Sequence, residues 1–206
     1  VSKSVNRYWT LSNSGTTFTS YSATFNFVSG DLDAGTSTAT FEGRRFSGGT
    51  WSTLTAGTRT STSTQITGAT AFGDFACGNV LSVSVNNSVF AFGTQPLNTW
   101  LTAQSSLISN DSQGTEDVVV QISTLTAGAN TWTLSAAGNG ADQVRAQWST
   151  TSSSGPWTDI SAYGSNFTVA SSLASSGSVT LYMRIQTPTS SSSLGAYSST
   201  LTVTAQ

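Results

Sequence analysis

The chain has 206 residues and a net charge of −2, and only 8% of its residues are charged, against about 25% in an average soluble domain. That argues against a nucleic-acid binder, which needs clustered Lys and Arg to meet phosphates; Lys3 is the single lysine, and among the arginines only Arg44 and Arg45 are adjacent. It also argues against a disordered chain, because aromatics make up 10%, with 6 Trp and 10 Phe, a bulk that disordered segments lack.

Along the chain, apolar and polar residues alternate in short runs rich in Val, Thr, Phe, Tyr and Trp, the period-two pattern of half-buried strands. The predicted strands are Val5 to Leu11, Phe18 to Val28, Ala39 to Phe46, Leu81 to Val85, Val89 to Phe92, Val118 to Leu125, Thr131 to Leu134, Val144 to Trp148, Val179 to Ile185 and Leu201 to Val203. Turn clusters such as Ser12-Asn13-Ser14-Gly15, Ser47-Gly48-Gly49 and Gly138-Asn139-Gly140 separate them. Helical periodicity is nearly absent. The fold expected is all-β, with two β-sandwich domains. The boundary falls near Asn79, where Phe72 to Gly78 reads as a closing strand and Leu81-Ser82-Val83-Ser84-Val85 opens a new pattern. Residues 80–206 have the length of an immunoglobulin-like sandwich. Residues 1–79 are short for a sandwich, which suggests either cleavage from a precursor or a strand supplied by a neighbouring chain.

No apolar run approaches the roughly 20 residues of a membrane helix. With Cys77 as the single cysteine, no intrachain disulfide can form. A chain that starts at Val1, with neither initiator Met nor signal peptide, fits a processed secreted protein.

Both halves carry motifs that resemble modules of large secreted surface proteins of bacteria, chiefly Bacteroidota. In the first half these are Asn6-Arg7-Tyr8-Trp9-Thr10-Leu11-Ser12-Asn13-Ser14-Gly15, Ala23-Thr24-Phe25, Gly30-Asp31-Leu32-Asp33-Ala34-Gly35, Phe46-Ser47-Gly48-Gly49-Thr50-Trp51, Gly57-Thr58-Arg59-Thr60 and Phe72-Gly73-Asp74-Phe75-Ala76. In the second half, Val89-Phe90-Ala91-Phe92-Gly93 followed by Leu107-Ile108-Ser109-Asn110-Asp111 resembles an immunoglobulin-like surface repeat. The resemblance implies display or assembly outside the cell and implies no activity. It departs at Cys77, where such modules usually carry an aliphatic residue, so Cys77 is expected as core filler.

Histidine is absent. That removes the usual catalytic triads, histidine-based zinc sites and the commonest general base. The nine carboxylates sit mostly in Gly, Ser or Asn contexts typical of turns. The expectation is therefore a non-enzyme with no cofactor. Asp31 and Asp33 are a candidate calcium pair, since hard cations take clustered oxygens, although the spacing of a full calcium loop is missing. Trp51, Trp100 and Trp157 lie beside turn residues and are candidates for stacking on a polysaccharide. Trp9, Trp132 and Trp148 sit inside alternating runs and are expected in cores.

The function expected from these features is an extracellular or cell-surface structural subunit that self-associates into a filament or array through strand edges, as in donor-strand complementation. The first candidate for an exchanged strand is Val1 to Leu11, with Val1, Val5, Tyr8, Trp9 and Leu11 as its larger apolar residues. The second is Tyr197 to Ala205. The alternative is a passive spacer or a carbohydrate-binding module of a larger secreted adhesin or enzyme.

Overall fold

A computed structural model describes residues 3–112 and 114–206. The chain is all-β, with about half of its residues in strands arranged in several mostly antiparallel sheets.

The first half builds β1 (Trp9–Leu11), β2 (Tyr21–Asn26), β3 (Glu42–Ser47), β4 (Thr50–Thr53), β5 (Thr55–Thr60), β6 (Ser63–Ala69) and β7 (Gly73–Gly78). They form a four-stranded sheet, β1-β7-β3-β4, and a three-stranded sheet, β2-β6-β5. The core between them is mainly aromatic: Phe25, Phe27, Phe41 and Phe75 are buried with Val5, Ile66, Ala69 and Cys77, and Trp9 and Tyr21 pack at its margin. Each of these phenylalanines removes enough apolar surface from water to contribute roughly 1.5–3 kcal/mol. Cys77 fills core space as the sequence suggested, and burial pushes its thiol up to about 12. Two local features set this sheet. Gly48 and Gly49 have φ of +59° and +83°, the left-handed pair that a two-residue hairpin needs to turn β3 into β4. Gly43 lies over Ile66, where a Cβ would meet Cγ2 at 2.3 Å, so only glycine lets the two sheets approach there.

The second half builds β8 (Val83–Val85), β9 (Gln104–Asn110), β10 (Glu116–Ile122), β11 (Leu125–Ala127), β12 (Asn130–Leu134), β13 (Gln143–Ser149), β14 (Thr158–Asp159), β15 (Asn166–Leu173), β16 (Ser178–Gln186) and β17 (Leu201–Ala205). One sheet runs β11-β12-β13-β16-β9-β8, with β14 beside β13, and the other runs β15-β10-β17. Its core is mainly aliphatic, centred on Ile108, Val118, Val120, Val144 and Leu181, while Phe90, Phe92, Trp132, Trp148 and Phe167 pack around it.

Several sequence expectations shift. The run Val5 to Leu11 is not one strand: Ser4 and Val5 make isolated bridges to Gly78 and Leu32, and regular pairing with β7 starts only at Trp9. The start of the predicted Ala39–Phe46 strand is a 3-10 turn, Thr38–Thr40. Val89 to Phe92 joins no sheet. Strands β4, β5, β6 and β15 were not expected, because Ser and Thr occupy so many of their positions that alternation loses its contrast.

Candidate functional site

The second sandwich has one side where its sheets do not close with paired strands. Asp117 and Gln206 exchange both backbone hydrogen bonds, and the Ser123 amide donates to the Thr200 carbonyl. Alternation along this ladder therefore turns the N–H and C=O groups of Leu201, Val203 and Ala205 away from β10. Among the described residues no strand meets them. The same reasoning applies to β8. The Asp111 amide donates to the Ser82 carbonyl and the Asn86 amide to the Leu107 carbonyl, so Val83 and Val85 direct their backbone groups outward. Two open edges, one from each sheet, thus border the same seam.

Residues 88–92 stand in that seam. Phe90 and Phe92 are half-buried against the core, whereas Val89 and Ala91 are exposed. That is the two-residue alternation of a strand, without a strand's hydrogen bonds. Phe90 divides the seam into two clefts. One, of about 210 Å³, reaches Val83, Val85, Ile108, Leu181 and Val203. The other, of about 280 Å³, reaches Phe92, Ile122, Met183, Ile185 and Leu201. Core residues are covered here by one unpaired segment.

The N-terminal run proposed as an exchanged strand is paired within its own chain. Val5 is buried in the first core and its amide donates to the Cys77 carbonyl at 2.9 Å. Trp9 and Leu11 pack at the margin of that core, with Trp9 4.9 Å from Phe25 between ring centroids. Tyr8 projects outward, 74% exposed, and Val1 lies outside the described residues.

Asp31 and Asp33 act as clips on this segment. The Asp31 carboxylate faces Arg7 at 2.9 Å and accepts from the Val28 amide; that amide, and then Arg7, hold it below the usual carboxylate range. Asp33 accepts from the Ser4 amide and hydroxyl and from Asn6 Nδ2, and these bonds lower it as well. Asp31 Oδ2 and both Asp33 oxygens are thus engaged within the chain, and no group of three or more metal-binding side chains gathers among the described residues.

The three turn-flanking tryptophans separate into two environments. Trp100 and Trp157 come together around Arg184, whose guanidinium lies 4.2 Å from one ring centroid and 4.3 Å from the other. Gln147 Oε1 accepts from Arg184, Gln147 Nε2 donates to Asp159, and Arg145 grips Asp159 through two bonds of 2.6 and 2.8 Å. Arg145 holds Asp159 below the usual range. This is a polar and aromatic layer on the outer face of β13 and β16, and each indole already has a cation on one face. Trp51 is elsewhere, on β4 of the first sandwich, and is 51% exposed.

Sequence reasoning missed a polar contact between the two halves. Lys3 is nearly buried and its Nζ donates to the Thr115 carbonyl at 2.6 Å. The Asn79 amide donates to the Lys3 carbonyl, and the Asn79 side chain bonds Ser37 and Thr40. Glu116 is fully buried beside them. It accepts from the Ser82 amide through Oε2, while Oε1 has no hydrogen-bond partner among the described residues. Burial raises its carboxyl above the usual range, opposed by the Ser82 amide and the charge of Lys3. A signal existed: Glu116 shares the face of Val118, Val120 and Ile122 by period-two alternation, so it had to point inward.

Scans of this chain against protein-family models, curated proteins and solved structures find no match.

Proposed function

We propose that this chain is an extracellular structural subunit that joins its neighbours by β-strand addition at the seam of its second, immunoglobulin-like sandwich. One observation carries the reading: two open edges, β8 and β17, face a seam over the core in which residues 88–92 make no ladder. Unpaired edges template another strand. Such a strand would gain main-chain hydrogen bonds from Leu201 and Val203 and could seat alternate apolar side chains beside Phe90, which is how strand addition gains affinity and specificity. Low net charge supports the same reading, since packed copies would repel little. The N-terminal run could serve as donor only by leaving its own core, where Val5 is buried.

That internal pairing favours a second reading, a passive spacer of self-contained modules. Val203→Pro separates the two. Proline there removes an outward N–H and no bond to β10, the position where an edge strand tolerates it. Wild-type protein should form filaments or sheets in negative-stain electron microscopy, with mass rising with concentration in light scattering, while Val203→Pro stays monomeric. Wild-type protein that remains a monomer of 21.3 kDa at every concentration would establish the spacer.

A further inference from the structure

We infer that the outer face of β3, β4 and β7 carries a binding groove for a neutral polysaccharide, with Trp51 as its stacking platform. The inference does not depend on strand addition, because the groove belongs to the first sandwich and the seam to the second.

Tryptophan exposure points to it. Trp9 packs on Phe25, Trp132 stacks on Tyr197 at 3.8 Å, Trp148 stacks on Phe167 at 5.1 Å, and Trp100 and Trp157 enclose Arg184. Each of these five is half-buried. Trp51 alone among the tryptophans is exposed, held at one edge by Phe46 at 5.1 Å. An indole left in water on an ordered hairpin is costly unless something covers it.

The surroundings of Trp51 narrow what that something is. Pairing sets Glu42 opposite Gly78, Arg44 opposite Ala76 and Phe46 opposite both Asp74 and Trp51, so these side chains share the outward face. Ala76 and Gly78 are too small to fill their positions. They leave a groove of about 220 Å³, bordered by Glu42, Arg44, Trp51 and Ser4. Room of that size holds one sugar ring. Glu42 and Arg44 stand 3.6 Å apart at one wall, longer than a hydrogen bond, with side chains 25% and 41% exposed. A carboxylate acceptor and a guanidinium donor side by side match vicinal hydroxyls, each of which donates and accepts. Their charges cancel, which selects a neutral ligand over an anionic one. A flat apolar ring with polar groups at its edge is the surface a pyranose presents, C–H face down and hydroxyls outward.

The test is native gel electrophoresis with a soluble β-1,3-glucan, a galactomannan, amylopectin or alginate cast into the gel; the net charge of −2 carries the protein through it. Wild-type protein should be retarded by at least one of the three neutral polymers. Trp51→Ala should weaken that interaction about tenfold, the loss of one ring stack, with partial recovery in Trp51→Phe and an intermediate loss in Glu42→Gln. Circular dichroism on each variant separates loss of the site from loss of fold. Three results would overturn the inference: no retardation by any neutral polymer, equal retardation of folded Trp51→Ala and wild type, or retardation by alginate alone, which would mean charge pairing with Arg44.

Discussion

The two halves solve the same packing problem with different side chains. The first has few residues and puts aromatics at its centre: Phe25 and Phe75 stack across its two sheets, with Phe27 and Phe41 beside them. The second has more residues and a centre of Ile, Val and Leu, with aromatics at its rim. Large rings at the centre let a short chain close, with its N-terminal run tucked into the same core. Aliphatic residues at the centre build a longer sandwich whose side can stay open, with Phe90 and Phe92 serving as plugs. The difference is between rings that span a core and rings that stopper one.

Truncating a ring in each place sharpens that contrast. Phe75→Ala should destabilise the first half by about 3–5 kcal/mol, the usual loss for a fully buried Phe with its cavity, read by chemical denaturation with hydrogen exchange locating the change in residues 3–78. Similar losses of protection in both halves would break the comparison, because they would mean one cooperative core. Phe90→Ala should cost less, about 1–2 kcal/mol for half-buried apolar area, and should increase binding of a hydrophobic dye at the seam. Even in wild-type protein the amides of Val83, Val85, Leu201 and Val203 should exchange faster than those of Ser84, Thr202 and Thr204, which face their partner strands. Equal protection would mean that the seam is already paired.

The smallest expected effect lies where the halves meet. Because Glu116 is raised in the folded protein, the folded state binds its proton more readily than the unfolded chain. The sign follows from linkage: this contribution to stability is fully present below the unfolded value of about 4.3 and is lost as pH rises through the folded value. The lowered Asp31, Asp33 and Asp159 act oppositely, and their contribution is lost only as pH falls below about 3.9. Glu116→Gln should therefore flatten the stability profile above about pH 4.3 and leave the more acidic limb unchanged. An unchanged profile over the whole range would detach Glu116 from the meeting of the halves.

The all-β class was legible because Val-Thr-Leu-Tyr-Met-Arg-Ile in β16 and Glu-Asp-Val-Val-Val-Gln-Ile in β10 carry contrast between their two faces. Strand β4, Thr-Trp-Ser-Thr, is exposed at every position, so no hydrophobic period could mark it; only its glycine turn did. Val89 to Phe92 shows the converse. Its alternation is genuine and two rings do point inward, but side-chain period says nothing about whether a backbone partner exists. The candidate sites were legible as residue types and not as neighbours. Trp100 and Trp157 looked like Trp51 in sequence, each beside a turn, and only the long-range register of β13 with β16 brought Arg184 between them. Lys3 and Glu116 are 113 positions apart, and no local pattern links them.

The contact between Lys3, Asn79 and Thr115 also bears on mechanics. A linker that must flex keeps its polar groups in water, where bending costs little. Here the Asn79 side chain is bonded into the loop at Ser37 and Thr40, while Lys3 reaches across to the carbonyl before Glu116. Turning one sandwich against the other would break the Lys3–Thr115 bond. Tension or torsion applied to one half would pass to the other through side chains as well as through the backbone at Asn79, so the pair would carry load as a single beam.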